Sequence, residues 1–280
     1  MEREGVIRLA LFVGVLVVMG LWEVVAPRRE RTSSKGRRWL GNFGLVVVGT
    51  LAVRVLFPVA AVGTAIFARE HGWGLFNTLP AGIWSFVASF ILLDLIIYLQ
   101  HVMFHAVPLL WRLHMVHHGD KDLDVSSGLR FHPIEIVLSM LLKIGAVAAL
   151  GPPPVAVLVF EVVLNAAAMF NHGNVRMPLA IDRVLRLFVV TPDMHRVHHS
   201  ISVQESNSNF GFNLPWWDRL LGTYKAQPDA GHLDMTIGLT QFQNANTGSL
   251  TWLLVTPFVG DAGGYAINRR SFGKSKPDDS

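Results

Sequence analysis

Ten of the chain's twelve histidines fall between His101 and His199, and they come in clusters. The order is HVMFH from His101, HMVHH from His114, a lone His132 in FHP, a lone His172 in NHGN, and HRVHH from His195. A neutral imidazole binds metals through a ring nitrogen, and residues at i, i+3 and i+4 of a helix share one face. HxxHH is therefore predicted to project three rings to one side, and HxxxH two. At this histidine frequency one HxxHH is expected only about 0.02 times by chance in a chain of this length, yet the chain has two. Scattered surface or core histidines do not account for the set, because so many unpaired polar rings would be costly in so apolar a sequence.

A structural zinc takes four ligands and a catalytic zinc three plus water, so ten imidazoles exceed the needs of one metal. They suit two metals of about five nitrogens each, with positions left for oxygen or water. HExxH is absent, which argues against a zinc protease of that type; GxSxG and a phosphate-binding Walker loop are absent too. The chain has no cysteine, which excludes disulfides, thiolate zinc fingers and iron–sulfur clusters. Imidazole suits iron, copper, zinc and nickel alike, so spacing leaves the metal open.

The elements that must carry these histidines are membrane helices. The sequence is 51% hydrophobic and only 16% charged, against about 25% charged in an ordinary soluble domain. Residues 6–26 read as a retained span, because no small-residue cleavage pattern precedes the basic loop that follows. That loop, residues 27–38, holds six Lys/Arg against one Glu. The positive-inside rule makes it cytoplasmic and argues against a nucleic-acid surface, so no nucleic-acid partner is expected. Residues 39–68 return across the membrane, interrupted by Arg54 and Pro58, and residues 81–98 cross back to deliver the first histidine box.

Residues 134–150 and 155–170 flank Gly151-Pro152-Pro153-Pro154, a run that cannot stay helical, and read as a helical hairpin that enters and leaves on the cytoplasmic side. Residues 182–190 read as an apolar or interfacial helix. Thr191-Pro192 reads as an N-cap with Pro at N1, opening the helix of the last box. Trp216, Trp217 and Tyr224 suit the headgroup region. With spans assigned from hydropathy and charge alone, all ten clustered histidines fall on one side of the membrane, while His71 and His232 drop out. The expected fold is all-α, an integral membrane bundle of about four spanning or hairpin elements under a cytoplasmic histidine-rich helical cap. The expected division is 1–80 as N-terminal membrane helices and basic loop, 81–224 as the catalytic domain, and 225–280 as an extension whose tail beyond Arg269 is disordered.

HVMFH, HMVHH, RFHPIE, NHGN and TPDMHRVHH, followed by NSNFGFNLPWWDRLLGTY, resemble the fatty acid hydroxylase/sterol desaturase family of membrane di-iron oxygenases. The resemblance covers roughly residues 81–224 and implies a cell-membrane protein that binds two iron ions, with zinc possible as isolated. It further implies that dioxygen is used to hydroxylate or desaturate a lipid taken from the bilayer. The ligands it implies are His101, His105, His114, His117, His118, His172, His195, His198 and His199, with His132 as a tenth ligand or else a partner of one, matching a histidine found in the sterol-acting branches but not throughout the superfamily. Metal-bound histidines usually donate their other N–H to a carboxylate or carbonyl. Asp94, seven residues before His101, and Glu135, Asn171, Asn174 and Asp193, each beside a histidine, are the candidates for that role. No fused electron-donor domain is expected beside the core, and a separate ferredoxin, cytochrome or reductase is expected to supply electrons. Carotenoid hydroxylation, alkyl-ether cleavage and a non-oxidase role as a zinc-loaded scaffold or sensor stay open on the residues alone.

Overall fold

The computed structural model describes residues 2–268; the tail expected to be disordered lies outside the described residues. The helices, in order, are α1 (Glu2–Val25), α2 (Lys35–Leu56), α3 (Ala61–Glu70), α4 (Ile83–Ala106), α5 (Pro108–His118), α6 (Pro133–Leu150), α7 (Pro154–Asn171), α8 (Leu179–Leu185), α9 (Pro192–His198), α10 (Val203–Ser206), α11 (Trp216–Leu220), α12 (Gly231–Asp234) and α13 (Leu250–Val259). Five helical stretches are long and apolar enough to cross a membrane. Among the described residues there is no β-strand, only two isolated bridges. Together with the exposed valines and leucines on α1, this makes the chain a multi-pass membrane protein, since only helices or closed barrels satisfy their backbone within lipid.

Proline and glycine set the helix ends. Pro108, Pro133, Pro154 and Pro192 each open a helix, where their missing N–H costs nothing. The predicted hairpin turns at Gly151, whose φ of 60° lies in the left-handed region, and a Cβ there would stand 2.3 Å from the Trp73 carbonyl oxygen. The single return span expected over 39–68 is instead two helices, because the chain leaves helical geometry at Phe57 beside Pro58. The second, α3, packs Ala61 and Ala65 against Val157, Phe160, Val147, Leu93 and Ile97. In lipid such contacts depend on close packing rather than on the hydrophobic effect, and small residues permit it.

The basic loop between α1 and α2 does more than face one side of the membrane. It folds under the cap and meets the acidic loop after α5. Arg38 donates to Asp120 and Asp124 at 2.7 and 2.8 Å, all three groups being buried. Arg28 forms a two-point pair with Asp193 at 3.1 Å, and Arg29 donates to the Met235 carbonyl at 2.6 Å. Glu23, at the end of α1, accepts from the backbone N–H groups of Val125 and Asn174. Loop and histidine cap therefore lie on the same side of the bundle. Residues 235–268 close over the cap, where Leu239, Phe242 and Tyr265 pack on Trp111 and Met115 of α5.

Candidate metal centre

Nine histidines converge on two adjacent points. His101, His105, His114, His118 and His198 form one group and His117, His172, His195 and His199 the other, the candidate ligand atoms within each lying within 4.8 Å of one another. All nine are buried. The HxxHH boxes do not act as units. His114 and His118 go to the first group and His117 to the second, while His195 and His199 go to the second and His198 to the first. Helix geometry explains the crossing: at ~100° per residue, positions i and i+4 diverge by only ~40°, whereas i+3 and i+4 diverge by ~100°. The three rings of each box thus divide between two adjacent groups. The groups are joined by His118 and His199, whose rings stack with centroids 4.5 Å apart.

The orientation of the rings follows from what holds their Nδ1 atoms. His101 faces the Phe210 carbonyl at 2.7 Å, His172 that of Ala168 at 2.7 Å, His198 that of Ser208 at 2.7 Å, and His117 that of Arg130 at 3.3 Å. His105 faces Oδ1 of Asn207 at 3.1 Å, and His114 faces Oε1 of Glu135 at 2.7 Å. Each of these oxygens accepts only, so each Nδ1 carries the proton and each Nε2 presents a lone pair. Such lone pairs face one another between His101 and His114 at 3.1 Å and between His172 and His117 at 3.0 Å, and the Nε2 atoms of His118 and His195 lie 3.1 Å from those of His105 and His172. Facing lone pairs repel unless a cation lies between them. Two nitrogens ~2.1 Å from one ion and at right angles about it stand ~3.0 Å apart, so the spacing fits a metal in each group. His198 Nε2, His195 Nδ1 and both ring nitrogens of His199 have no hydrogen-bond partner, which leaves His198 Nε2 and one nitrogen of His199 open to an ion.

Burial also sets the charge state. It pushes His114 and His172 down to about 3. Burial, and then the neighbouring rings, holds His117, His118, His195, His198 and His199 well below the usual histidine range. Neutral imidazole is the form that ligates.

The tenth predicted ring stands apart. His132 caps the N-terminus of α6, its Nδ1 accepting from the Ile134 N–H and its Nε2 lying 3.2 Å from the Leu254 carbonyl oxygen. Of the five side chains expected to hold ring N–H groups, Glu135 alone hydrogen-bonds a histidine of the two groups. Asp94 instead accepts from Asn213, Leu214 and Trp217. Asn171 donates to the Phe212 carbonyl, and Asn174 brackets the backbone of Arg29. Asp193 pairs with Arg28 and Arg196 and lies 3.7 Å from His232. Asn207 went unpredicted, and the carbonyl partners had no side-chain signal to find them by. Arg130 is fully buried, donating to the Val116 and Thr247 carbonyls.

A cavity of about 1480 Å³ runs from the first group into the bundle. His101, His114 and Glu135 line its inner end beside Phe131 and Phe212, and α1, α2, α6 and α7 supply its apolar walls. On the wall Arg8 and Lys143 both pair with Glu161, at 2.8 and 2.9 Å.

Residues 86–223 match the fatty acid hydroxylase family. Similar proteins include ornithine lipid hydroxylase OlsE of Rhizobium tropici, 34% identical over 192 residues, which are 68% of this chain and 56% of that protein. Human alkylglycerol monooxygenase is 26% identical over 178 residues, 62% of this chain and 38% of that protein. Rat cholesterol 25-hydroxylase is 28% identical over 145 residues, 51% of this chain and 47% of that protein. The chain thus spans between 38 and 56% of the length of these relatives. No solved structure matches it. All nine converging histidines lie inside the matched segment, and the chain belongs to the fatty acid hydroxylase/sterol desaturase superfamily.

Proposed function

We propose that this protein is a membrane di-iron oxygenase that hydroxylates or desaturates a bilayer lipid, using dioxygen and electrons supplied from outside. The observation that carries the reading is the meeting of a long apolar cavity with a group of five converging imidazoles at its inner end. One iron would be held by His101, His105, His114, His118 and His198, the other by His117, His172, His195 and His199. Five nitrogens exceed what tetrahedral zinc uses, which favours iron over the zinc-scaffold alternative. Iron supplies the dioxygen chemistry needed to break an unactivated C–H bond. In hydroxylation a C–H bond becomes C–OH, the second oxygen atom leaves as water, and two electrons and two protons are consumed.

The chain's own part is binding and exclusion. The apolar walls take up a lipid chain, while Phe131 and Phe212 keep water from the reacting end. Carbonyls, Asn207 and Glu135 hold six of the rings so that their Nε2 atoms point inward, the task that outer hydrogen-bond partners perform at metal sites. The names of the similar proteins share amphiphilic lipids as substrates, so an amphiphile from the bilayer is the proposed substrate class. The similarity to alkylglycerol monooxygenase supports ether cleavage as a second reading, with oxidation falling on the carbon beside an ether oxygen. Electrons would come from a separate ferredoxin, cytochrome or reductase. The positive-inside rule, applied to the basic loop that touches the cap, supports a cell-membrane location with the histidines facing the cytoplasm.

The test is expression with ample iron, purification in detergent, metal analysis, and incubation with reductant, labelled dioxygen and mixed lipids. Iron above one ion per chain and labelled oxygen in a lipid or in water formed with a desaturated lipid are expected. Less than one metal per chain refutes the reading.

A further inference from the structure

Two short segments of the catalytic region carry an apolar surface that the described residues leave open. Ile181, Val184, Leu187, Phe188, Leu220 and Leu221 are each 49–73% exposed. They form one patch, because the Trp216 indole N–H donates to the Leu187 carbonyl at 2.8 Å and Arg219 to that of Arg186 at 3.2 Å. The charged residues exposed within it, Arg183 and Arg219, are both basic, while Asp182 and Asp218 are buried. A contiguous apolar surface of this kind is rare where water covers a protein.

Its depth is fixed by contacts to a span. The Trp217 indole N–H and the Asn213 amide donate to Asp94 at 2.9 and 2.8 Å, and the Leu214 backbone N–H at 3.2 Å. Farther along α4, the Tyr98 and Thr223 hydroxyls meet at 2.8 Å. Asp94 precedes His101 by seven residues in α4, which places it about 10 Å deeper in the bundle than the first histidine box. The α11 segment is thus tied alongside a membrane helix, below the level of the histidines.

We propose that α8 and α11 form a wedge seated in the leaflet on the histidine side, its apolar face covered by acyl chains and its two arginines at the headgroup phosphates. The wedge continues into Val189 and Val190, which line the cavity, so leaflet lipid borders the cavity wall close to His101. This inference rests on the membrane reading and not on the oxygenase reading, and the two fail separately.

The absence of cysteine allows a direct test. Phe188→Cys and Leu220→Cys, and Gln204→Cys as an exposed position on the cap, are spin-labelled singly and reconstituted in phosphatidylcholine vesicles. Collisions with dissolved oxygen and with a water-soluble nickel chelate are then compared by electron paramagnetic resonance. Oxygen dominating at 188 and 220 while nickel dominates at 204 is the expected result. An aqueous profile at 188 or 220 overturns the wedge. So does low access to both reagents there, which would mean cover by another protein surface.

Discussion

Glu135 offers the sharpest test of how the centre is built. Its Oε1 takes the N–H of His114 at 2.7 Å, both groups are buried, and His114 belongs to the five-nitrogen group only. Glu135→Gln keeps an oxygen acceptor at that position but replaces the carboxyl with a less basic amide, which makes the ring a weaker donor to a metal; a loss of about tenfold in affinity, or ~1.4 kcal/mol, is expected. Glu135→Leu also leaves a buried N–H unpaired and the ring free to turn, for about a hundredfold loss, at the upper end of what outer partners contribute. The four-nitrogen group is not bonded to Glu135 and should keep its metal. The assay is metal analysis after graded chelator treatment of detergent-purified protein, with wild type releasing two ions at comparable chelator strength. Each variant should release one ion early and the second as wild type does. Unchanged release of both ions, or equal weakening of both, would refute the division into two groups and the role given to Glu135.

Three further outcomes are expected. His132→Ala should leave metal content unchanged and lower stability by about 1 kcal/mol, the usual cost of a lost helix cap, as read by thermal unfolding in detergent. Asp94→Ala should cost about 3–5 kcal/mol, because it strands the buried donors of Trp217, Asn213 and Leu214 around a position that is 1% exposed; an unchanged melting temperature would contradict this. Burial raises the Asp120 carboxyl, but Arg38 and Arg130 outweigh it and hold it at about 2. Its contribution of about 2 kcal/mol is therefore present above its ordinary value of 3.8 and fades as pH falls toward 2. The stability gap between wild type and Asp120→Asn should shrink over that interval in acid titrations.

Much of this molecule is local in origin. Apolar runs of spanning length, prolines at helix starts, the Gly151 turn and the Thr191 cap are read from neighbouring residues, because hydropathy and backbone sterics act within a few positions. The histidine boxes are legible in the same way, and so is their gathering on one side of the membrane, which needs only the parity of the spans. Even the splitting of HxxHH is latent in the ~100° step of the helix, although nothing in the spacing says that two points, rather than one, receive the rings.

What the sequence by itself offered, then, is the class of protein and ten candidate rings, nine of which the fold brings together. Tertiary structure decided which ring joins which group, that His132 caps a helix, and that Asp94, Asn171, Asn174 and Asp193 engage partners other than the nine converging imidazoles. It also turned the basic loop into a clasp on Asp120, Asp124 and Asp193. The physical reason is common to all of these. A ring nitrogen is oriented by whichever acceptor the fold brings within about 3 Å, and most of those acceptors are backbone carbonyls, which every residue possesses and no residue name reveals.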